Sequence, residues 1–220
     1  MKPLVFLLVL LTGCATAQLD MPLGAYDVTG ANPRRWNAPI SFGPYSTEMV
    51  DEGTRRSWLA DLDLVQVGKA DQGYHFTVNG IAVECHTREV VIGREGVFVD
   101  TSLGREPLLV CGYQRSTGTK SVLALSRTGS PEPSFRGELR ALPGPAFEVR
   151  SLHRAKEGSL PSGEPFGYEI RLGELPVAIV ETVNRGRVWI DPAEEANRDM
   201  LAAAAASLLL FREPDAGSVE

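Results

Sequence analysis

The chain has 220 residues, 43% hydrophobic and 23% charged, with a formal net charge of -6. That is ordinary globular composition and enough length for one domain with a sizeable core, which argues against global disorder. A nucleic-acid-binding surface needs clustered basic residues, and an acidic chain with only four lysines gives no sign of one.

The first segment reads as a targeting signal. Lys2 supplies the positive start, and Leu4 to Leu11 is an unbroken apolar run too short to span a bilayer, which needs about 20 residues. Leu11-Thr12-Gly13-Cys14 follows at once. This tetrapeptide resembles the lipobox of bacterial lipoprotein precursors. The resemblance implies that residues 1–13 are cut off and that Cys14 becomes an acylated N-terminus, anchored stably once it carries two or more chains. The plainer alternative is an ordinary signal peptide that happens to contain a cysteine. Ala15 follows the cysteine in place of the aspartate associated with inner-membrane retention, so the resemblance points to the outer membrane over the inner. Residues 14–37 hold Gly24, Gly30, Asn32 and Pro33 without a sustained period and read as a lipidated tether.

From residue 38 onward short alternating or apolar runs are separated by turn residues. Strands are predicted at Ile40–Gly43, Leu59–Val67, Tyr74–Val78, Ile81–His86, Glu89–Ile92, Val97–Asp100, Leu108–Tyr113, Ser121–Ser126, Phe135–Ala141, Phe147–His153, Tyr168–Leu172, Val177–Val183 and Val188–Ile190. Turn signals between them include Asn79-Gly80, Pro143-Gly144 and Asn184-Arg185-Gly186. About twelve short strands so spaced predict a mainly β domain over 38–213, an antiparallel barrel or sandwich.

One hairpin can be put in register. Asn79-Gly80 between β runs predicts a two-residue type I′ loop, which pairs Val78 with Ile81, Phe76 with Val83 and Tyr74 with Cys85 on one apolar face. The other face carries His75 opposite Glu84, with His86 one step diagonal. Two imidazoles and a carboxylate are a conceivable zinc set with an open position. The plainer reading is a solvated sheet face with one cross-strand pair, so no metal and no cofactor is expected. Export places the domain in an oxidising compartment, and with Cys14 assigned to lipid the remaining pair, Cys85 and Cys111, reads as a disulfide; two buried free thiols are the alternative.

The chain ends differently. Asp191-Pro192-Ala193-Glu194 carries a cap, a proline at the first helical position and a capping-box glutamate, so a helix is predicted over 192–212. Its body, MLAAAAASLLLF from Met200 to Phe211, is apolar on every side apart from Ser207 and must be buried on every side. About 18 Å of helix falls short of a hydrocarbon core of roughly 30 Å, so protein is the expected surround. Residues 214–220 read as a loose tail.

Many short strands followed by one buried C-terminal helix resemble the tubby-like fold of tubby C-terminal domains, phospholipid scramblases and LURP-one-related proteins. The segment Pro176 to Phe211 carries the resemblance, with a final hairpin, a short polar start and an apolar helix. The resemblance extends over Ala38 to Phe211 and implies a closed antiparallel barrel around a central helix. A sandwich with the helix packed on one side is the alternative. Tubby domains bind phosphoinositides through basic residues, whereas this chain is acidic and has only four lysines, and neither a calcium-loop motif nor a palmitoylation cluster is present. Lipid-headgroup binding is therefore not carried over to any residue. The sequence contains no G-x-S-x-G, H-E-x-x-H, Walker A or G-x-G-x-x-G motif. The expectation is a membrane-anchored envelope lipoprotein with a non-enzymatic domain that binds an unidentified protein or hydrophobic ligand. The alternative is a hydrolase or metal enzyme with a dispersed site.

Overall fold

A computed structural model of the chain describes residues 18–30, 38–52, 66–67, 72–87, 91–92, 107–128, 134–155 and 161–211. In chain order its elements are β1 (Tyr26–Asp27), β2 (Ser41–Phe42), β3 (Tyr45–Glu52), β4 (Gln66–Val67), β5 (Gln72–Val78), β6 (Ile81–Thr87), β7 (Val91–Ile92), β8 (Pro107–Arg115), β9 (Lys120–Thr128), β10 (Ser134–Leu142), β11 (Ala146–Leu152), β12 (Gly167–Leu172), β13 (Leu175–Glu181), β14 (Arg187–Ile190) and α1 (Arg198–Leu210). The predicted strand at Val97–Asp100, most of that at Leu59–Val67, the signal segment with Cys14, and the tail lie outside the described residues.

Twelve strands form one antiparallel sheet in the order β1-β14-β13-β12-β11-β10-β9-β8-β6-β5-β3-β2, and β4 pairs with β7 alone. The two edges of that order approach each other. Thr29, just past β1, donates its amide to Ser41 O at 2.8 Å and accepts from Ser41 N at 2.9 Å. The sheet is thus a nearly closed barrel, its short edge strands spanned by a single bridge.

The hairpin at Asn79-Gly80 has the register expected of a type I′ turn, with Val78 opposite Ile81, Phe76 opposite Val83 and Tyr74 opposite Cys85. Asn79 and Gly80 both take positive φ, 46° and 71°, as that turn requires. All six paired residues are buried.

The barrel is filled by its own C-terminal helix. Residues Met200 to Leu208 and Leu210 of α1 are buried. Contacts reach the helix from opposite arcs of the sheet: it packs against β6, β8, β13 and β14. The Tyr74 hydroxyl on β5 donates to Ser207 O at 2.9 Å, and Phe135 on β10 meets Phe211 edge to face with centroids 6.3 Å apart. Five consecutive alanines let strands approach the helix all round, where larger side chains would hold them off. Ser207, the one polar residue of the run, is satisfied inside: its hydroxyl donates to Ala203 O at 3.0 Å and accepts from Tyr113 Oη at 3.1 Å.

Three expectations need correction. The helix starts at Arg198, not at 192. Residues 191–197 instead make two successive turns, with Glu194 N donating to Asp191 O and Asn197 N to Glu194 O. Asp191 Oδ1 accepts from Ala193 N at 2.9 Å, so the residue read as a helix cap closes a local turn. This segment sits on the barrel rim, where the chain must swing from β14 onto the barrel axis, and burial rewards helix only beyond it. Second, the segment read as a tether is in part barrel: Leu19 and Val28 are buried, and β1 pairs with β14. Third, β3 went unpredicted. Its register shifts between Glu48 and Asp51, and that irregularity breaks the apolar alternation by which a strand is read.

The registers sort the connections onto two ends. One end carries the tight turns 43–44, 79–80, 116–119, 143–145 and 173–174, together with the N-terminus of α1. The other, the long-loop end, is where β3, β6, β9, β11 and β13 finish and β5, β8, β10, β12 and β14 begin, together with the C-terminus of α1.

Candidate functional site

The two core cysteines lie directly opposite each other on β6 and β8 and form a disulfide, with both residues fully buried. The bond ties neighbouring strands whose side chains face α1. In the chain-entropy model a closure of this size stabilises the fold by roughly 3–4 kcal/mol.

The outer face of the same strands departs from the solvated surface expected there. Glu84 is fully buried and His86 nearly so, and His86 Nε2 lies 2.7 Å from Glu84 Oε1. His75 stands across from Glu84 in the β5–β6 register and is only half-buried. Among the described residues no three His, Cys, Asp or Glu side chains are gathered as metal ligands. The structure therefore brings together Glu84 and His86 of that patch but does not assemble the trio as a ligand set.

A second polar cluster, unseen in the sequence, grips the N-terminal segment. Glu181 ends β13 and is paired in register with Arg187, which begins β14. Arg187 Nε donates to Glu181 Oε2 at 2.6 Å and Nη2 to Oε1 at 3.2 Å. Between them they hold one peptide unit on each side of Leu19: Leu19 N donates to Glu181 Oε1 at 2.7 Å, and Arg187 Nη2 donates to Leu19 O at 2.8 Å. Glu181 is buried, and hydrogen bonding to it raises the Arg187 pKa further, against the opposing effect of burial; Asp27 and Asp20 add to the rise. Gly167 makes room for this arrangement. A Cβ there would strike Val180 O and come within 2.9 Å of Leu19 Cδ1. The turn Asn184-Arg185-Gly186 was legible in the sequence, but a hairpin registered on those three residues would have set Val183, not Glu181, opposite Arg187; the actual connection runs over 182–186. That the pair closes on a backbone more than 160 residues away had no sequence signal.

A third cluster lies on the same end. Ser151 Oγ accepts from Phe135 N at 2.8 Å and lies 2.8 Å from His153 Nε2. His153 Nδ1 is 3.0 Å from Ser162 O. A carbonyl only accepts, so the neutral imidazole carries its proton on Nδ1 and its Nε2 accepts from the Ser151 hydroxyl, an assignment inferred from partners. The relay ties Ser162 to β11 and the adjoining β10, and its serine and imidazole stand at the separation that a nucleophile and its general base would need.

Among the described residues an open cavity lies at each end of the barrel. That on the long-loop end has a volume of about 330 Å³ and is lined by Phe135, Glu164, Tyr168, Val183, Leu208 and Phe211 among others. That on the tight-turn end has a volume of about 290 Å³, with Tyr113, Arg115, Lys120, Pro143, Asn197 and Met200 in its wall. Burial holds the Tyr113 hydroxyl well above its usual pKa, and its hydrogen bond to Ser207 only partly opposes that. Among the described residues no helix is long and apolar enough to cross a membrane.

No protein-family model matches the chain, and neither does any curated protein or solved structure.

Proposed function

We propose that the chain is a bacterial envelope lipoprotein, acylated on Cys14, most simply in the outer membrane, whose barrel is a non-enzymatic binding or structural module for a protein or hydrophobic ligand. The observation that carries the reading of the module is the filled lumen. Lipocalin-like barrels hold ligands inside, but here α1 occupies the interior with every residue from Met200 to Leu208 buried. Recognition then falls to the ends and the outer wall, where the two cavities lie. A barrel wrapped on an apolar C-terminal helix is also what the tubby-like resemblance implies, and this arrangement supports that relation.

Labelled palmitate and membrane fractionation test the anchor. The wild type incorporates label and sediments with membranes, and Cys14→Ser loses the label and is released or stalls unprocessed. An unlabelled wild type with unchanged retention in Cys14→Ser contradicts the reading.

The Ser151–His153 pair favours a second reading, a serine hydrolase with a dispersed site. A fluorophosphonate probe that labels the wild type and not Ser151→Ala would replace the binding module with the enzyme. No labelling of either keeps the relay structural.

A further inference from the structure

We propose that the cavity at the tight-turn end is a binding site for a small monocarboxylate with a short apolar tail, held at the N-terminus of α1. The site supplies the binding module proposed above with a ligand, so it rests on that reading; it does not depend on acylation of Cys14. The N-terminal end of the helix is open. Asn197 precedes α1 without acting as a side-chain cap, and its Nδ2 instead donates to Glu194 Oε2 at 2.7 Å. The first amide bonded within the helix is that of Leu201, which donates to Asn197 O at 2.9 Å. Among the described residues the amides of Arg198, Asp199 and Met200 have no acceptor. Such amides, with the positive end of the helix dipole behind them, favour an anion.

A second, independent feature points into the same cavity. Ser121 is only 5% exposed, and among the described residues its hydroxyl has no hydrogen-bond partner. The sheet register sets it between Tyr113 and Ala141, on the inner face that it shares with Leu123 and Leu125. Ser121, Tyr113 and Ala141 all line the cavity. A buried hydroxyl left unsatisfied costs free energy that a bound polar group would recover. Arg115 comes from the same face, opposite Ile81, and bonds Asp199 through Nη2 alone, so its other N–H groups remain for a ligand. The charges select that ligand. One guanidinium already shared with Asp199 can offset one negative charge, whereas a dianion would meet the Asp199 carboxylate with twice the repulsion. Ile81, Ala141, Pro143 and Pro145 supply the apolar part of the wall. A volume of about 290 Å³ is at the small end for ligand pockets and suits a tail of a few carbons, not a long acyl chain.

Amide NMR spectra of the isotope-labelled full chain in detergent micelles test the site. Isovalerate is titrated alongside its uncharged isostere isovaleramide and alongside inorganic phosphate, with empty micelles as the blank. The expected result is saturable movement of the Arg198, Asp199 and Met200 amides with isovalerate and none with isovaleramide. Ser121→Ala should weaken isovalerate about tenfold, as loss of a hydrogen bond to a charged group does. Ser121→Thr keeps the hydroxyl and should bind like the wild type. Arg115→Gln should remove measurable binding while the remaining amide spectrum shows the fold intact. No saturable movement at those three amides, an equal response to isovaleramide, or an affinity untouched by Ser121→Ala overturns the site. Tighter binding of phosphate than of isovalerate overturns the ligand class. Movement confined to Tyr168, Val183 and Phe211, at the other cavity, overturns this site and leaves the binding module standing, whereas the fluorophosphonate probe tests the module itself.

Discussion

The two ends of the barrel are held together by different means. At the tight-turn end the backbone does the work. Connections of a few residues pass through Asn79 and Gly80, Gly43, Gly118 and Gly173, all at positive φ, and each fixes a register locally. Its principal ion pair, Arg115 with Asp199, is about 40% exposed on both sides. At the long-loop end the described residues are held by side chains. Glu181 and Arg187 hold Leu19, the Ser151–His153 relay holds Ser162, and Phe135 stacks edge-on against Phe211. Glu181 there is buried. The difference teaches that an end defined by tight turns can be built from local chemistry, whereas the grip on Leu19 depends on contacts remote in sequence.

The helix joins both ends, so charging it should have the largest effect. Ala203 and Ala205 point in different directions and are both fully buried. Ala203→Asp and Ala205→Asp should each cost several kcal/mol, because an unpaired carboxylate finds no water in either direction. Thermal melts of both check this. A helix packed on one side only would leave one of them within about 0.5 kcal/mol of wild type.

The ion pairs sharpen the contrast between the ends. Arg187→Ala leaves a buried carboxylate without its cation and should cost about 3–5 kcal/mol. Arg115→Ala breaks an exposed pair and should cost at most about 1 kcal/mol. Denaturant unfolding of the two variants decides the matter, and equal losses would erase the distinction drawn between the ends.

A smaller effect is expected from Tyr113 and has a definite sign. Its folded pKa is raised above the ordinary 10.0, so folding favours the protonated phenol. The stability it contributes is fully present below about pH 10 and is lost as pH rises further. Tyr113→Phe should cost about 1 kcal/mol at neutral pH through the lost hydrogen bond to Ser207, and should flatten the decline above pH 10. Urea midpoints of both proteins between about pH 8 and 11 report it, and an unchanged alkaline decline would discharge Tyr113 from that role.

The same contrast explains what could be read from the sequence. The β5–β6 hairpin was legible to the residue because Asn-Gly specifies its turn, and it put Cys85 on the apolar face that the structure buries. The all-round apolar run in α1 was legible because nothing but complete burial suits it. The start of that helix was not. Asp191, Pro192 and Glu194 have helix-start chemistry, but the rim where they sit asks the chain to turn. The burial of Glu84 and His86 was missed because period-two alternation marks one face as polar and does not say whether that face is covered. The grip on Leu19 was missed because Leu19 is separated from the Glu181–Arg187 pair by most of the chain.

The central claim is that the C-terminal helix is the interior of this barrel and not an attachment to it. Ending the chain after Asp191, in a form made without the lipid anchor, tests that most directly. Removal of α1 takes away the surface against which Tyr74, Tyr113 and Phe135 close. The truncated chain should show no cooperative thermal unfolding and should expose its apolar strand faces to a hydrophobic dye. A cooperative melt close to that of the full-length domain would contradict the account.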